Sequence, residues 1–288
     1  MRSLWMLGAS FFFALMSAFV KMGAGHFSFF ELVGYRSLFG VILIGTWVAA
    51  THRTLATPHL LGHFKRSFIG TFSMTLWFYA MGLLPLATGL TLNYTNPLFM
   101  AVIITTAALL HHERPQWGLV AAIGAGFFGV VLMLHPTVAA GQVRPALLGL
   151  FSGLLASLVG LQIRELARMH EPTWRIVFYY TAFGTVWGLG GHLLLNGSLS
   201  AITRESLLPL AGMGLSATVA QLCMTQAFGV KNILVSSVLQ YSAIIFATVF
   251  GYLFFGDRIS GDAAAGIAII IVSGITASLY IRRHRQAG

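Results

Sequence analysis

The sequence predicts an all-α polytopic membrane protein: ten transmembrane helices in two inverted five-helix repeats, with both termini cytoplasmic. Three observations lead there. Of 288 residues, 57% are hydrophobic and 8% charged, where a soluble domain carries about 25% charge. Charged positions are spaced so that uncharged stretches of bilayer-crossing length recur. Short motifs of the first half return in the second half at a nearly constant offset.

The composition excludes other classes. A disordered chain is poor in apolar residues and rich in charge. A soluble globule could not cover this much apolar surface with so few charges. The single cysteine, Cys223, cannot build a disulfide framework. A β-barrel reads as alternating segments of about ten residues, whereas runs such as Ser10-Phe11-Phe12-Phe13-Ala14-Leu15-Met16 are apolar on every side.

The spans follow from the gaps between charges. Residues 3–20, 37–52, 67–112, 115–143, 145–163, 176–203, 206–230, 232–256 and 263–281 contain no Asp, Glu, Lys or Arg. The 67–112 gap is long enough for two helices, and Gly82-Leu83-Leu84-Pro85 divides it, since proline ends or kinks a helix. The second span reaches back to Phe29, with Glu31 and Arg36 in its first turns. Ten spans result, at 3–22, 29–50, 67–84, 87–110, 117–135, 145–167, 174–195, 206–229, 232–255 and 262–281. Arg2 ahead of an apolar run resembles a signal-peptide opening. The run is long, however, Met16-Ser17-Ala18 is a poor cleavage site, and the segment fits the repeat.

With the N-terminus inside, 12 of the 17 Lys and Arg fall on the cytoplasmic side, as the positive-inside rule requires. The net charge of +10 is therefore a topology signal. No single basic face exists for nucleic acid to bind.

Ala80, Gly82 and Tyr94 align with Ala227, Gly229 and Tyr241 at an offset of 147. Leu110-His111-His112-Glu113-Arg114 aligns with Phe254-Phe255-Gly256-Asp257-Arg258, and Gly8 and Lys21 align loosely with Gly149 and Gln162. Residues 1–137 and 143–288 read as two copies of one unit. Five helices per copy is an odd number, so the second copy must enter the membrane upside down. Inverted repeats around a midplane site are a recurrent transporter architecture, because exchanging the two conformations exchanges the open side.

These residues carry a resemblance. Glu31-Leu32-Val33-Gly34-Tyr35-Arg36, Asn96-Pro97-Leu98-Phe99, Lys21 and the paired endings His112-Glu113-Arg114 and Gly256-Asp257-Arg258 resemble the EamA-type proteins of the drug/metabolite transporter superfamily. Asp257 stands where that family has Glu, His112 where it has Gly, and Ile244 where it has Pro. The resemblance implies a central cavity and movement of small metabolites in the bacterial inner membrane. It is closest to exporters of amino acids, aromatic ones included. Phosphorylated or nucleotide sugars and cationic drugs are the alternative cargoes.

The residues themselves narrow the chemistry. All seven acids sit at span ends or in loops, so no carboxylate is placed to relay a proton at mid-depth, and gradient-driven export fits better than proton antiport. Two readings of Arg36 stand: it binds a substrate carboxylate, or, the favoured one, it pairs with Glu31 or snorkels outward. Spans 3, 4, 8 and 9 offer no mid-depth cation for a phosphate, and Lys231 stands alone at the start of span 9. The expected cavity lining is Ser73, Trp77 and Tyr79 on span 3; Asn93, Tyr94 and Asn96 on span 4; Gln221, Met224 and Gln226 on span 8; and Gln240 and Tyr241 on span 9. Amide side chains in lipid must face protein or water, and among aromatic rings they describe an apolar pocket with a few polar anchors. Gly82, Pro85, Pro97, Gly229 and Gly251 are the expected bending points.

No cofactor or metal is expected: the ten histidines form no H-E-x-x-H and have no cysteine set. No nucleophile elbow supports an enzyme. Gly124-Ala125-Gly126-Phe127-Phe128-Gly129 matches a dinucleotide fingerprint but lies inside an apolar span, where close helix packing explains it. The expected partners are a small-molecule substrate and the lipid bilayer, and the sequence leaves the oligomeric state open, a monomer being compatible with it.

Overall fold

The computed structural model describes residues 2–22, 26–84, 86–113, 115–134, 141–229, 233–256 and 261–286. Among the described residues there are twelve α-helices and no strand. They are α1 (Trp5–Met22), α2 (Phe29–Ala50), α3 (Leu60–Leu83), α4 (Leu86–Asn93), α5 (Asn96–Leu110), α6 (Trp117–Leu134), α7 (Val143–Arg168), α8 (Thr173–Asn196), α9 (Arg204–Phe228), α10 (Ile233–Gln240), α11 (Ser242–Phe255) and α12 (Gly261–Gln286). Five stretches are long and apolar enough to cross a membrane: Phe29–Ala50, Gly89–Leu110, Val143–Arg168, Arg204–Phe228 and Ile233–Phe254. Large apolar side chains such as Leu110, Val186 and Leu194 stand exposed, as a lipid-facing surface requires.

Local chemistry sets the ends. The Ser28 hydroxyl accepts from the Glu31 amide while the Glu31 carboxylate accepts from the Ser28 amide, a capping box that starts α2. Thr203 and Ser206 do the same for α9. Gly197 and Gly256 end α8 and α11 at positive φ, where glycine carries no Cβ penalty.

Two expectations about the helices need correction. Span 3 begins at Leu60 rather than at residue 67, which takes His63, Lys65 and Arg66 into α3. A boundary drawn at charges fails here because Arg66 is buried inside the protein instead of marking the bilayer edge. Spans 4 and 9 are each broken, after Asn93 and at Tyr241. In span 4 the cause is Pro97, which has no N–H to give to the Asn93 carbonyl; the Asn96 side-chain amide takes that carbonyl at 3.1 Å instead.

The strongest helix pairings run between the halves. α1 packs on α9 and α3 on α7; α1 on α11, and α7 on α4 and α5; α2 on α9 and α3 on α8; α2 pairs with α8, and α6 with α12. This set maps onto itself when α1–α6 are exchanged for α7–α12, as two-fold related repeats demand. The α2–α8 crossing is made by small residues. A Cβ on Gly188 would lie 2.3 Å from the Gly34 nitrogen, and one on Gly184 2.6 Å from the Ser37 hydroxyl. On the other side, a Cβ on Gly129 would lie 2.9 Å from the Gly266 carbonyl, so the glycine-rich run serves α6–α12 packing.

Each end of the α2–α8 pair is tied by a buried carboxylate. Glu31 accepts from Ser200 in the α8–α9 loop, through its amide at 2.6 Å and its hydroxyl at 2.9 Å, and lies 3.5 Å from His192. Glu171 accepts from Thr57 in the α2–α3 loop, and from Arg175 at 3.1 Å, with His63 3.2 Å away. Burial by itself raises the Glu171 pKa; the hydrogen bonds from Thr57, Arg175 and His63 outweigh it and hold the carboxyl below its ordinary value. A depressed carboxyl stabilises the fold above its ordinary pKa of about 4.5, and that contribution is lost as pH falls through the folded-state value. The unfolding midpoint of Glu171→Gln should therefore lie below the parent's at pH 7, and the gap should close on acidification toward pH 3. A gap that does not change with pH would contradict this.

Candidate functional site

The breaks in the two paired helices organise the centre of the molecule. The half-helices α4 and α5 meet at Tyr94-Thr95, and α10 and α11 meet at Tyr241. The two tyrosine rings lie near each other, with centroids 6.4 Å apart and planes inclined by 51°. A break frees backbone carbonyls, and hydroxyls from outside and inside the helix take them up. Ser242 donates to the Leu239 carbonyl at 2.7 Å, and Ser10 of α1 reaches the Leu239 and Gln240 carbonyls at 3.5 and 3.4 Å. On the other half Thr95 donates to the Leu92 carbonyl at 2.5 Å. Gly153 of α7 lets that break approach: a Cβ there would lie 2.8 Å from the Leu92 carbonyl. Tyr241 is held by Gly126 of α6 in the same way, a Cβ there falling 2.7 Å from its ring.

Several predicted lining residues act as ties between helices. Ser73 donates to the Ser152 carbonyl of α7 at 2.9 Å, and Trp77 Nε1 to the Gly89 carbonyl of α4 at 3.3 Å. Gln226 Oε1 accepts from Thr173 of α8 at 2.6 Å. Asn96 is buried with its amide on the Asn93 carbonyl. Met224 is half-buried against the core of α1, α9 and α10. Tyr79 is exposed, with its ring edge on Phe29. Of the expected bending points, Gly82 lies in the last turn of α3, Pro97 opens α5, Gly229 follows α9 and Gly251 is buried in α11; Pro85 lies outside the described residues.

The rest of the set is different. Gln221 Nε2, Gln240 Oε1 and the Tyr241 hydroxyl are buried with no hydrogen-bond partner among the described residues. Gln162 Oε1 on α7 and Thr225 Oγ1 on α9 share that state, and neither is a residue the sequence reading had placed in the site. Their signal was available in part: Thr225 lies one turn beyond Gln221. Buried polar atoms are nearly always satisfied, so these unpartnered atoms, on α7, α9, α10 and at Tyr241, are groups that a ligand or water could satisfy.

A cavity of about 380 Å³ opens between α5, α7 and α10. Ile104, Leu161 and Ile233 line it together with the ionisable His111, Glu113, Arg164 and Arg168. None of the eleven predicted lining residues borders this cavity. It occupies the helix-end side of the broken span, between the C-terminal parts of α5 and α7 and the start of α10.

Arg36 departs from expectation. It is buried, and Glu31 is engaged with Ser28 and Ser200. Its Nη1 instead lies 2.8 Å from the Met74 sulfur. Arg66 is buried as well, with its guanidinium over the Tyr180 ring at 4.3 Å. Span 3, which begins at Leu60, thus brings a cation into the protein interior from ahead of the bounds 67–84 expected for it. No group of three or more His, Cys, Asp or Glu able to hold a metal occurs among the described residues.

Both halves of the chain match the EamA-like transporter family, over residues 2–135 and again over 143–279. The chain is 27% identical to the pseudopaline exporter CntI of Pseudomonas aeruginosa over 94% of its own length and 93% of that protein. It is 22% identical to an S-adenosylmethionine uptake transporter of Rickettsia bellii, covering 84% of this chain and 81% of the other. A solved crystal structure superimposes with a TM-score of 0.82 at 21% identity, covering 98% of each chain, which shows a shared fold.

Proposed function

The chain belongs to the EamA-like transporter family of membrane transporters, and from that premise we propose that it exports small metabolites, aromatic amino acids among them, by alternating access. The matched helix breaks at Tyr94-Thr95 and Tyr241 carry the reading. Helix interruptions at corresponding positions of two repeats are a usual mark of a transporter's midplane site, because backbone groups freed in a membrane are tolerated only where protein or a cavity covers them. The tyrosine pair offers aromatic faces, and the orphan groups of Gln162, Gln221, Thr225, Gln240 and Tyr241 offer polar anchors. That combination suits a neutral or zwitterionic molecule with an apolar side chain.

The α4–α5 and α10–α11 pairs each count as one crossing, so each repeat, 1–137 and 143–288, crosses five times and the second is inverted. With both termini in the cytoplasm, the ends of α5 and α7 and the start of α10 face inward. The 380 Å³ cavity is then the cytoplasmic vestibule of an inward-open state. Export is supported by the similarity to the pseudopaline exporter, while the uptake relative shows that similar sequences also serve the opposite direction. Glu31 and Glu171 are tied at helix ends, so the cargo's own gradient is the driving force proposed here.

The test is counterflow in proteoliposomes at equal pH on both sides. Radiolabelled L-phenylalanine should accumulate transiently against unlabelled L-phenylalanine and saturate. Absence of counterflow for every amino acid in a panel, alongside flux of a sugar phosphate, would refute the amino acid reading.

A further inference from the structure

We propose that Arg36 and Arg66 form a binding site, between α2, α3 and α8, for an oxyanion carried by the transported molecule, a carboxylate or a phosphate. The proposal rests on the chain's being a transporter and is independent of the amino acid reading.

Two guanidinium groups lie inside the protein, with Arg36 4% and Arg66 1% exposed. No described carboxylate pairs with either. Glu31 is held by Ser28, Ser200 and His192, Glu171 by Thr57, Arg175 and His63, and Glu113, Glu165 and Glu205 are exposed. Buried charges are ordinarily paired, because leaving one unpaired is strongly destabilising. Two like charges brought to one interface with no counter-ion are harder still to explain as packing. A structural cation–π contact needs one arginine, and the Arg66–Tyr180 stack already provides it.

The surroundings are built for an acceptor-rich ligand. Arg66 Nε and Nη1 are buried without partners, and so are the hydroxyls of Ser67 and Thr71. Residues 66, 67, 70, 71 and 74 follow the i, i+4 spacing of one helix face. Gly70 leaves the space in which the guanidinium folds back on α3, since a Cβ there would lie 2.2 Å from Arg66 Nη1. From α2, Arg36 Nη1 meets only the Met74 sulfur, at 2.8 Å, and thioether sulfur is a weak acceptor. The Tyr180 hydroxyl approaches the same sulfur at 3.9 Å, so Met74 links the two arginines across the interface. Two guanidinium nitrogens of Arg66 and the hydroxyls of Ser67 and Thr71 thus wait for an acceptor, and Arg36 Nη1 has only a weak one. Guanidinium groups present planar donor arrays that match carboxylate and phosphate geometry. The two positive charges together favour a doubly charged anion.

The experiment uses the purified full-length protein and follows its thermal unfolding with succinate, inorganic phosphate or phenethylamine added. Succinate or phosphate is expected to raise the midpoint, because a ligand of the folded state stabilises it; phenethylamine, which carries no anion, is not. Response to succinate alone identifies a carboxylate site, and response to phosphate alone a phosphate site. In Arg66→Gln the anion-dependent rise should vanish, while the midpoint without ligand stays the same or increases, because an unpaired buried charge is gone. A merely structural arginine would instead lower that midpoint. Thr71→Val keeps both guanidinium groups and the side-chain volume, and reads the site should Arg66→Gln fail to fold; it is expected to weaken anion binding about tenfold, the value of one hydrogen bond. The proposal is overturned if neither anion shifts the parent protein, or if the shift is the same size in Arg66→Gln or in Thr71→Val. Loss of amino acid counterflow with an intact anion response would sink the amino acid reading alone.

Discussion

Tyr241→Phe combined with Gln221→Leu should all but abolish transport and leave the fold at least as stable as before. The Tyr241 hydroxyl and Gln221 Nε2 are buried with no partner among the described residues, so the folded protein bears their desolvation without return. Removing a buried, unsatisfied polar group relieves a penalty of about 1–3 kcal/mol. If those atoms meet the substrate, each lost hydrogen bond weakens its binding by about tenfold, and the pair by about a hundredfold. Stability and flux therefore move in opposite directions, a signature that a packing defect cannot produce. Unfolding midpoints and counterflow rates on the same preparations read it. Unchanged flux in the double variant would show that these atoms lie off the substrate path.

Gly188→Val should break the α2–α8 crossing. A Cβ at Gly188 would sit 2.3 Å from the nitrogen and 2.5 Å from the Cα of Gly34. Both neighbours are backbone, so no side chain can turn aside, and the helices must separate. Overpacking costs about 1–3 kcal/mol where side chains can give way; here the loss should reach or exceed the top of that range. The separation would also pull Ser200 from Glu31 and Thr57 from Glu171 at the two ends of the pair. Gly190→Ala is the matched control, with nothing within 4 Å of its added Cβ, and should be neutral to within about 0.5 kcal/mol. Membrane yield and thermal unfolding compare the two. Equal behaviour would mean that the glycine contact is not what holds α2 to α8.

Much of this architecture was legible because lipid imposes simple demands. The bounds of α2, Phe29–Ala50, match the expected span, which reaches back from the uncharged stretch 37–52 over Glu31 and Arg36. The same criterion misplaced the start of α3, because Arg66 is a charge the protein buries. The break in span 4 has a visible cause in Pro97. The break at Tyr241 has none, since Ile244 occupies the position where proline would stand and the carbonyls there are taken by Ser10 and Ser242. The repeat sets Tyr94 over Tyr241, yet the bending points expected around span 9 are Gly229 and Gly251, not Tyr241. Among the candidate residues, side-chain type alone could not separate helix ties from ligand groups. Ser73 and Gln226 found partners on α7 and α8, whereas Gln221 and Gln240 kept an unpartnered atom. Which of these happens depends on tertiary neighbours tens of residues away, and so does the burial of Arg36 and Arg66.

The central claim is that two inverted repeats exchange conformations around the paired breaks. Single cysteines read it most directly, in a Cys223→Ala background. Thr105→Cys places a thiol in the cavity beside the C-terminal part of α5, and Thr248→Cys lies in α11 near the position the repeat makes equivalent, which the proposed topology turns to the opposite side of the membrane. Labelling by a membrane-impermeant maleimide should be measured at both positions with and without saturating substrate. The account predicts reciprocal change: as one site becomes protected, the other becomes reactive. Two sites that change together, or that ignore substrate under conditions where counterflow proceeds, would contradict it.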